Sequence, residues 1–161
     1  MPVVIMGDLT LNQSNSILHF FGSQHGLYGD SPMERYHADW AIDTCGDWWS
    51  CAPYRPYFGT AVEEDQKKTI GEKFAHFCDQ LEKRLNSEGA KPFLGGSKMS
   101  IGDIKCYPTF SLLVFNDNAQ NKTMIEHLRG IVANYPAVTA WVAAMDAVFA
   151  DYYVAHPKGN L

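Results

Sequence analysis

Apolar positions along this chain follow two periods. Near the start, Val3, Val4 and Ile5 form a β-branched run, Gly7-Asp8 supplies a turn, and Leu9-Thr10-Leu11 alternates with period two. This predicts a β-hairpin. From Ile17 the period changes, and Ile17, Leu18, Phe20 and Phe21 give a helix with a buried side, behind the polar run Asn12-Gln13-Ser14-Asn15. Gly29-Asp30-Ser31-Pro32 ends that unit, and Ser31-Pro32-Met33-Glu34 offers an N-cap, a first-turn proline and an acid three residues on. A long helix is expected over 33–52, stopped by Pro53 and Pro56. Thr60-Ala61-Val62-Glu63 repeats the capping signature, and Ile70, Phe74, Phe77, Leu81 and Leu85 then recur at three and four.

A Gly-rich connection runs over 86–98, and Ser100-Ile101-Gly102-Asp103 caps a helix that turns Ile104, Tyr107 and Phe110 one way. Two further helices are expected over 123–134 and from Pro136 to about Val148, the second carrying Val138, Trp141, Val142 and Met145. The pattern is mainly α: a strand-strand-helix unit at 1–29 packed on an all-helical unit at 33–161. No repeat of fixed period and no low-complexity segment interrupts it.

Composition narrows the function classes. The chain has 161 residues, 46% hydrophobic and 13% aromatic, enough for one ordinary core. A formal charge of −5, with only isolated basic pairs at Lys67-Lys68 and Lys83-Arg84, argues against a nucleic-acid surface. No apolar run approaches the roughly 20 residues that span a bilayer. Cys45, Cys51, Cys78 and Cys106 include no C-x-x-C and have no histidine at ligand spacing, so neither a metal site nor a disulfide framework is expected. The opening MPVVIMGD has neither the basic flank nor the apolar length of a secretory signal, which leaves a cytoplasmic location as the expectation.

Gln13 and Ser14 are the most suggestive polar pair. At a helix start they stand where free N–H groups and the positive end of the helix dipole favour a carboxylate. The plain alternative is that Ser14 caps the helix and Gln13 ends the strand. Asp39, Asp43 and Asp47 are spaced four apart on the long helix and share one face, which reads as a solvated surface or a dimer rim. Trp48 and Trp49 read as core and interface.

Several motifs, in order and spacing, resemble a cytosolic glutathione transferase of the sigma, pi, mu and alpha branch. They are the spacing of Pro2 to Ser14, Gly26-Leu27-Tyr28-Gly29, the acidic long helix, and Phe93-Leu94-Gly95-Gly96 followed by Ser100-Ile101-Gly102-Asp103. The resemblance runs through the whole chain. It implies a partial thioredoxin-like unit, strand-strand-helix, docked on the all-helical C-terminal domain of that family. It also implies roles. Pro2 matches the cis-proline beside the cysteinyl part of glutathione, and Gln13 and Ser14 the pair that holds its γ-glutamyl end. Asp47 matches an acid reaching across a homodimer to the partner's glutathione. Tyr57 matches a tyrosine of the hydrophobic co-substrate pocket, though beside Pro56 and Phe58 it equally fits ordinary packing. Ser100 and Asp103 match a structural cap.

In the family a strand, a helix and a strand precede that proline and carry the Tyr, Ser or Cys that activates the thiol. Here the chain opens at the proline, so no catalytic residue is assigned. Lowering a thiol pKa by two units needs about 2.7 kcal/mol of thiolate stabilisation, and no residue is evidently placed to supply it. Two functions are therefore expected as alternatives. One is a glutathione-binding transferase that, completed by such a segment, conjugates glutathione to hydrophobic electrophiles. The other is an inactive docking subunit of a larger assembly, a partner protein covering the incomplete sheet.

Overall fold

A computed structural model of the protein describes residues 2–51, 63–87 and 91–158. It opens on an antiparallel hairpin of β1 (Val3–Met6) and β2 (Leu9–Asn12), paired Val3 to Asn12, Val4 to Leu11, Ile5 to Thr10 and Met6 to Leu9. Gly7 takes the left-handed conformation, φ 58°, that a two-residue hairpin turn demands. Period two appears in the burial as well. Val4 and Leu11, a cross-strand pair, are half-buried, while Val3 and Ile5 on the other face are 56% and 73% exposed.

Helix α1 (Ser14–Gln24) lies on the hairpin and against the helical part. Its Leu18, with Leu27 and Tyr28 of the following link, packs on Ala38, Ile42 and Ile101. Gly22 allows close approach, since a Cβ there would lie 2.3 Å from Ile101 Cγ2. The Ile101 N–H closes the junction by donating to the Leu27 carbonyl at 2.8 Å.

Helix α2 (Pro32–Cys51) begins in a closed capping box. Ser31 Oγ accepts from the Glu34 N–H, and Glu34 Oε2 accepts from the N–H groups of Asp30 and Ser31 at 2.8 and 2.9 Å. Helix α3 (Glu64–Asn86) follows. Glu63 is extended, so this helix starts later than the Thr60 signature predicts; Thr60, like Pro53 and Pro56, lies outside the described residues. The expected stripe of Ile70, Phe74, Phe77, Leu81 and Leu85 is buried, joined by Cys78 and Arg84. Arg84 is held by donating from Nε to the Leu94 carbonyl at 2.9 Å.

Helix α4 (Ile101–Pro108) runs straight into a π-helical segment, Thr109–Val114. The sequence gives no warning of this change of pitch. Pro108 has no N–H to continue the α pattern, and the segment closes with Phe115 N–H on the Phe110 carbonyl, five residues back, at 2.7 Å. Two cations then take carbonyls at its end. Arg129 Nε donates to Val114 O at 2.7 Å and Lys158 Nζ to Phe115 O at 3.3 Å.

Helices α5 (Lys122–Val132), α6 (Pro136–Val148) and α7 (Ala150–Ala155) complete the bundle. The last of these is absent from the sequence reading, its six residues being too short for a period to show. Asn121 caps α5 through Met124 N–H. Glu82, reaching from α3, accepts from the N–H groups of Ala137 and Val138 and so caps α6 from outside. The main core is aromatic at its centre, with Trp48 on Phe74 (5.2 Å between ring centroids), Phe77 on Phe110 (5.9 Å) and Phe110 edge-on to Trp141 (5.3 Å). Cys45, Cys78 and Cys106 are free and buried in it.

Candidate functional site

The hairpin register decides which polar residues meet. Val3 pairs with Asn12 at the open end of the hairpin, so the ladder ends one residue before Gln13, and Ser14 follows as the first residue of α1. The peptide bond between Met1 and Pro2 lies outside the described residues. Gln13 is the N-cap position, not Ser14, and its side chain makes no capping hydrogen bond. Its backbone is unusual: φ 67° and ψ 112° make it the one non-glycine residue with positive φ among the described residues. Such a conformation costs of order 1–3 kcal/mol and aims side chain and peptide groups away from the path a relaxed residue would give. Gln13, Ser14, Asn15 and Ser16 are all exposed. The first-turn N–H groups of α1 thus open to solvent with a hydroxyl and an amide beside them, an arrangement suited to a carboxylate.

One turn further along α1, His19 makes two short contacts. Its Nδ1 lies 2.7 Å from the Asn15 carbonyl and its Nε2 2.7 Å from Asp39 Oδ1 on α2. The other Asp39 oxygen accepts from Tyr28 OH at 2.8 Å, and the Tyr28 ring stands edge-on to the imidazole. Burial pulls the imidazole pKa down, but the bonds to Asp39 and Asn15 and the charges of Asp39 and Asp43 outweigh it, so His19 titrates above the usual 6.5. Of the aspartate row, then, Asp39 is engaged within the chain. His19 is a residue that sequence reasoning passes over, because it sits inside an apolar run; its spacing of four from Asn15 is the only hint.

Asp47 is placed elsewhere. It is exposed and lines a groove of about 480 Å³ between α2 and α3, together with Trp40, Trp48, Lys73, His76 and Phe77. Neither Gln13 nor Ser14 borders this groove. Tyr57 lies outside the described residues. Trp49 donates from its indole N–H to Thr109 Oγ1 at 3.1 Å, tying α2 to the π-helical segment.

Ser100 and Asp103 form a closed capping box at the start of α4. Asp103 is fully buried and accepts four hydrogen bonds: Leu94 N–H (2.7 Å) and Trp141 Nε1–H (2.8 Å) on Oδ1, Ser100 N–H and Oγ–H (both 2.8 Å) on Oδ2. Burial lifts its carboxyl above the ordinary aspartate range, with the four donors opposing the lift. Among the described residues no group of three or more His, Cys, Asp or Glu side chains converges as a metal site, and no single helix is long and apolar enough to cross a membrane.

The family model for the glutathione S-transferase C-terminal domain matches residues 49–148. The chain belongs to the glutathione S-transferase family. Human hematopoietic prostaglandin D synthase is 28% identical over 149 residues, which cover 88% of this chain and 70% of that protein. Glutathione S-transferase P 1 of Xenopus laevis is 30% identical over 146 residues, covering 88% of this chain and 60% of its own length. Among solved structures, rat hPGDS complexed with a quinoline superposes with a TM-score of 0.73 at 18% identity, over 100% of this chain and 75% of that one. NaGST-2 gives 0.75 at 18% identity, over 98% and 73%. Glutathione S-transferase relatives therefore share both the helical bundle and the strand-strand-helix unit, while this transferase-like chain spans about two thirds of their length.

Proposed function

We propose that this glutathione S-transferase-like protein binds glutathione at the open end of its hairpin and serves its transfer to hydrophobic electrophiles. One observation carries the reading: Gln13, held in a strained conformation that no side-chain cap explains, stands with Ser14 at the exposed start of α1, directly after the Val3–Asn12 pair that ends the hairpin ladder. The α-carboxylate of the γ-glutamyl end takes the Ser14 hydroxyl and the first-turn N–H groups. The Gln13 amide, both donor and acceptor, suits the zwitterion around it. Residues 1–29 act in this reading as the glutathione-holding unit and 33–161 as the helical domain that walls the co-substrate, with Tyr57 part of that wall. Asp47, exposed on its groove, serves a second glutathione across a homodimer in the cytoplasm.

Calorimetry of the 161-residue chain with glutathione tests this. Binding in the millimolar range or tighter is expected, and Ser14→Ala weakens it about tenfold, the usual effect of deleting one hydrogen bond to a charged group. Absence of heat at millimolar glutathione, or a Ser14→Ala variant that binds as well as the wild type, overturns the site.

A further inference from the structure

We propose that His19, Asp39 and Tyr28 form a proton-dependent clasp that seats α1, and with it the Gln13-Ser14 turn, against α2. In this role they are positioning residues; the ligand half of the inference rests on the glutathione reading above, the structural half does not. The geometry is specific about the proton. Both ring nitrogens of His19 face oxygen acceptors at 2.7 Å, the Asn15 carbonyl and Asp39 Oδ1. A neutral imidazole carries a single N–H and can serve only one of them; the imidazolium serves both. Tyr28, in the link between α1 and α2, completes the set by donating to the free Asp39 oxygen, so one carboxylate joins helix, link and bundle.

His19 is the only ionisable side chain on α1. The charges that face it come from α2, as Asp39 and Asp43, and both favour the protonated ring. From the link comes Tyr28, which Arg35 also influences. Of the other elements packed on α1, β2 carries no ionisable residue, and α4 carries Asp103, committed to its capping box, Lys105, whose charge acts on Cys45, Cys106, whose thiol donates to the Ala41 carbonyl, and Tyr107, whose hydroxyl donates to Asp146. The apolar part of the junction is small, resting on Leu18 and Gly22 of α1 and Leu27 and Tyr28 of the link. A polar clasp therefore matters more here than in the main core. Six residues separate His19 from Gln13, about 9 Å along the helix, so loosening at His19 tilts the end that carries the half-site.

The direction with pH follows. A histidine whose folded pKa lies above its unfolded value contributes its full stabilisation below the unfolded value and loses it as pH climbs through the folded one. The clasp is fastened in mild acid and slackens as pH climbs past the raised imidazole pKa, which lies above 6.5. NMR titration of the His19 ring, with hydrogen exchange of the α1 amides corrected for the intrinsic rate, tests this on the whole chain. The ring should titrate above 6.5, and α1 protection should fall about threefold between about pH 6 and pH 8, a partly exposed ion pair being of that strength. Asp39→Asn should lower the titration and flatten the protection. Calorimetry with glutathione over the same interval should show about threefold loss of affinity in the wild type and none in His19→Arg, which keeps its charge throughout. Ring titration at or below 6.5, pH-independent α1 protection, or an affinity profile that His19→Arg leaves unchanged overturns the clasp. If glutathione gives no heat at any pH, the half-site reading falls, and the titration and exchange results still decide the clasp by themselves.

Discussion

Asp103→Ala is expected to lower the unfolding free energy by about 3–5 kcal/mol. The carboxylate is fully buried and takes four donors from three separate places: the 93–96 turn through Leu94, the N-terminus of α4 through Ser100, and α6 through Trp141. Alanine removes the shared acceptor and leaves those N–H and O–H groups without it at a position that is fully buried. Each stranded donor costs of order 1–3 kcal/mol, although the four are too close for their costs to add. Ser100→Ala, which removes one hydroxyl and spares the carboxylate, should cost only about 1 kcal/mol. Chemical denaturation followed by far-UV circular dichroism measures both. If Asp103→Ala cost no more than Ser100→Ala, the four-donor site would not be holding the bundle together.

The Ser100-Ile101-Gly102-Asp103 motif was legible because its physics is local: an oxygen side chain, then an acid three residues on, both near the backbone groups they serve. The same holds for Ser31 to Glu34 and for the stripe from Ile70 to Leu85, where period and burial agree. The hairpin was legible for a related reason, period two on each side of Gly7-Asp8. What the sequence concealed depends on groups far apart in the chain. Glu82 caps α6 across more than fifty residues, and Arg129 and Lys158 take carbonyls at the end of a π-helical segment that follows Pro108, inside what the spacing of Ile104, Tyr107 and Phe110 presents as one helix. The candidate site divides in the same way. Gln13 and Ser14 stood out beside a helix start, but the assignment of the cap position to Gln13 and its positive φ are properties of the folded hairpin. Asp39 was grouped with Asp43 and Asp47 by spacing; only the fold separates it from them, by placing His19 and Tyr28 on its two oxygens.

Gly102→Ala is expected to destabilise the protein by about 2–3 kcal/mol, although alanine is the better helix former and would gain up to about 1 kcal/mol on an open helix surface. The reason is the crossing of α2 and α4. A Cβ on Gly102 would stand 2.8 Å from Ala41 Cβ, 2.9 Å from the Ala38 carbonyl oxygen and 3.1 Å from Ala38 Cα. Two of those three atoms are backbone, so no rotamer change relieves the clash and the helices must separate. Separation would stretch the contacts that depend on the approach, Cys106 Sγ on the Ala41 carbonyl at 3.3 Å and Cys45 Sγ on the Lys105 carbonyl at 3.4 Å. It would also pull at the Ile101 to Leu27 bond that joins the strand-strand-helix unit to the bundle. Gly130→Ala, on a helix face where nothing lies within 4 Å of the added carbon, is the control and should be neutral or slightly stabilising. Thermal unfolding of the two variants decides the matter. Opposite signs would confirm that the small residues at this crossing set the distance between the helices, whereas a Gly102→Ala variant as stable as the Gly130→Ala one would mean that the crossing has slack and that the seat of α1 depends on its polar contacts alone.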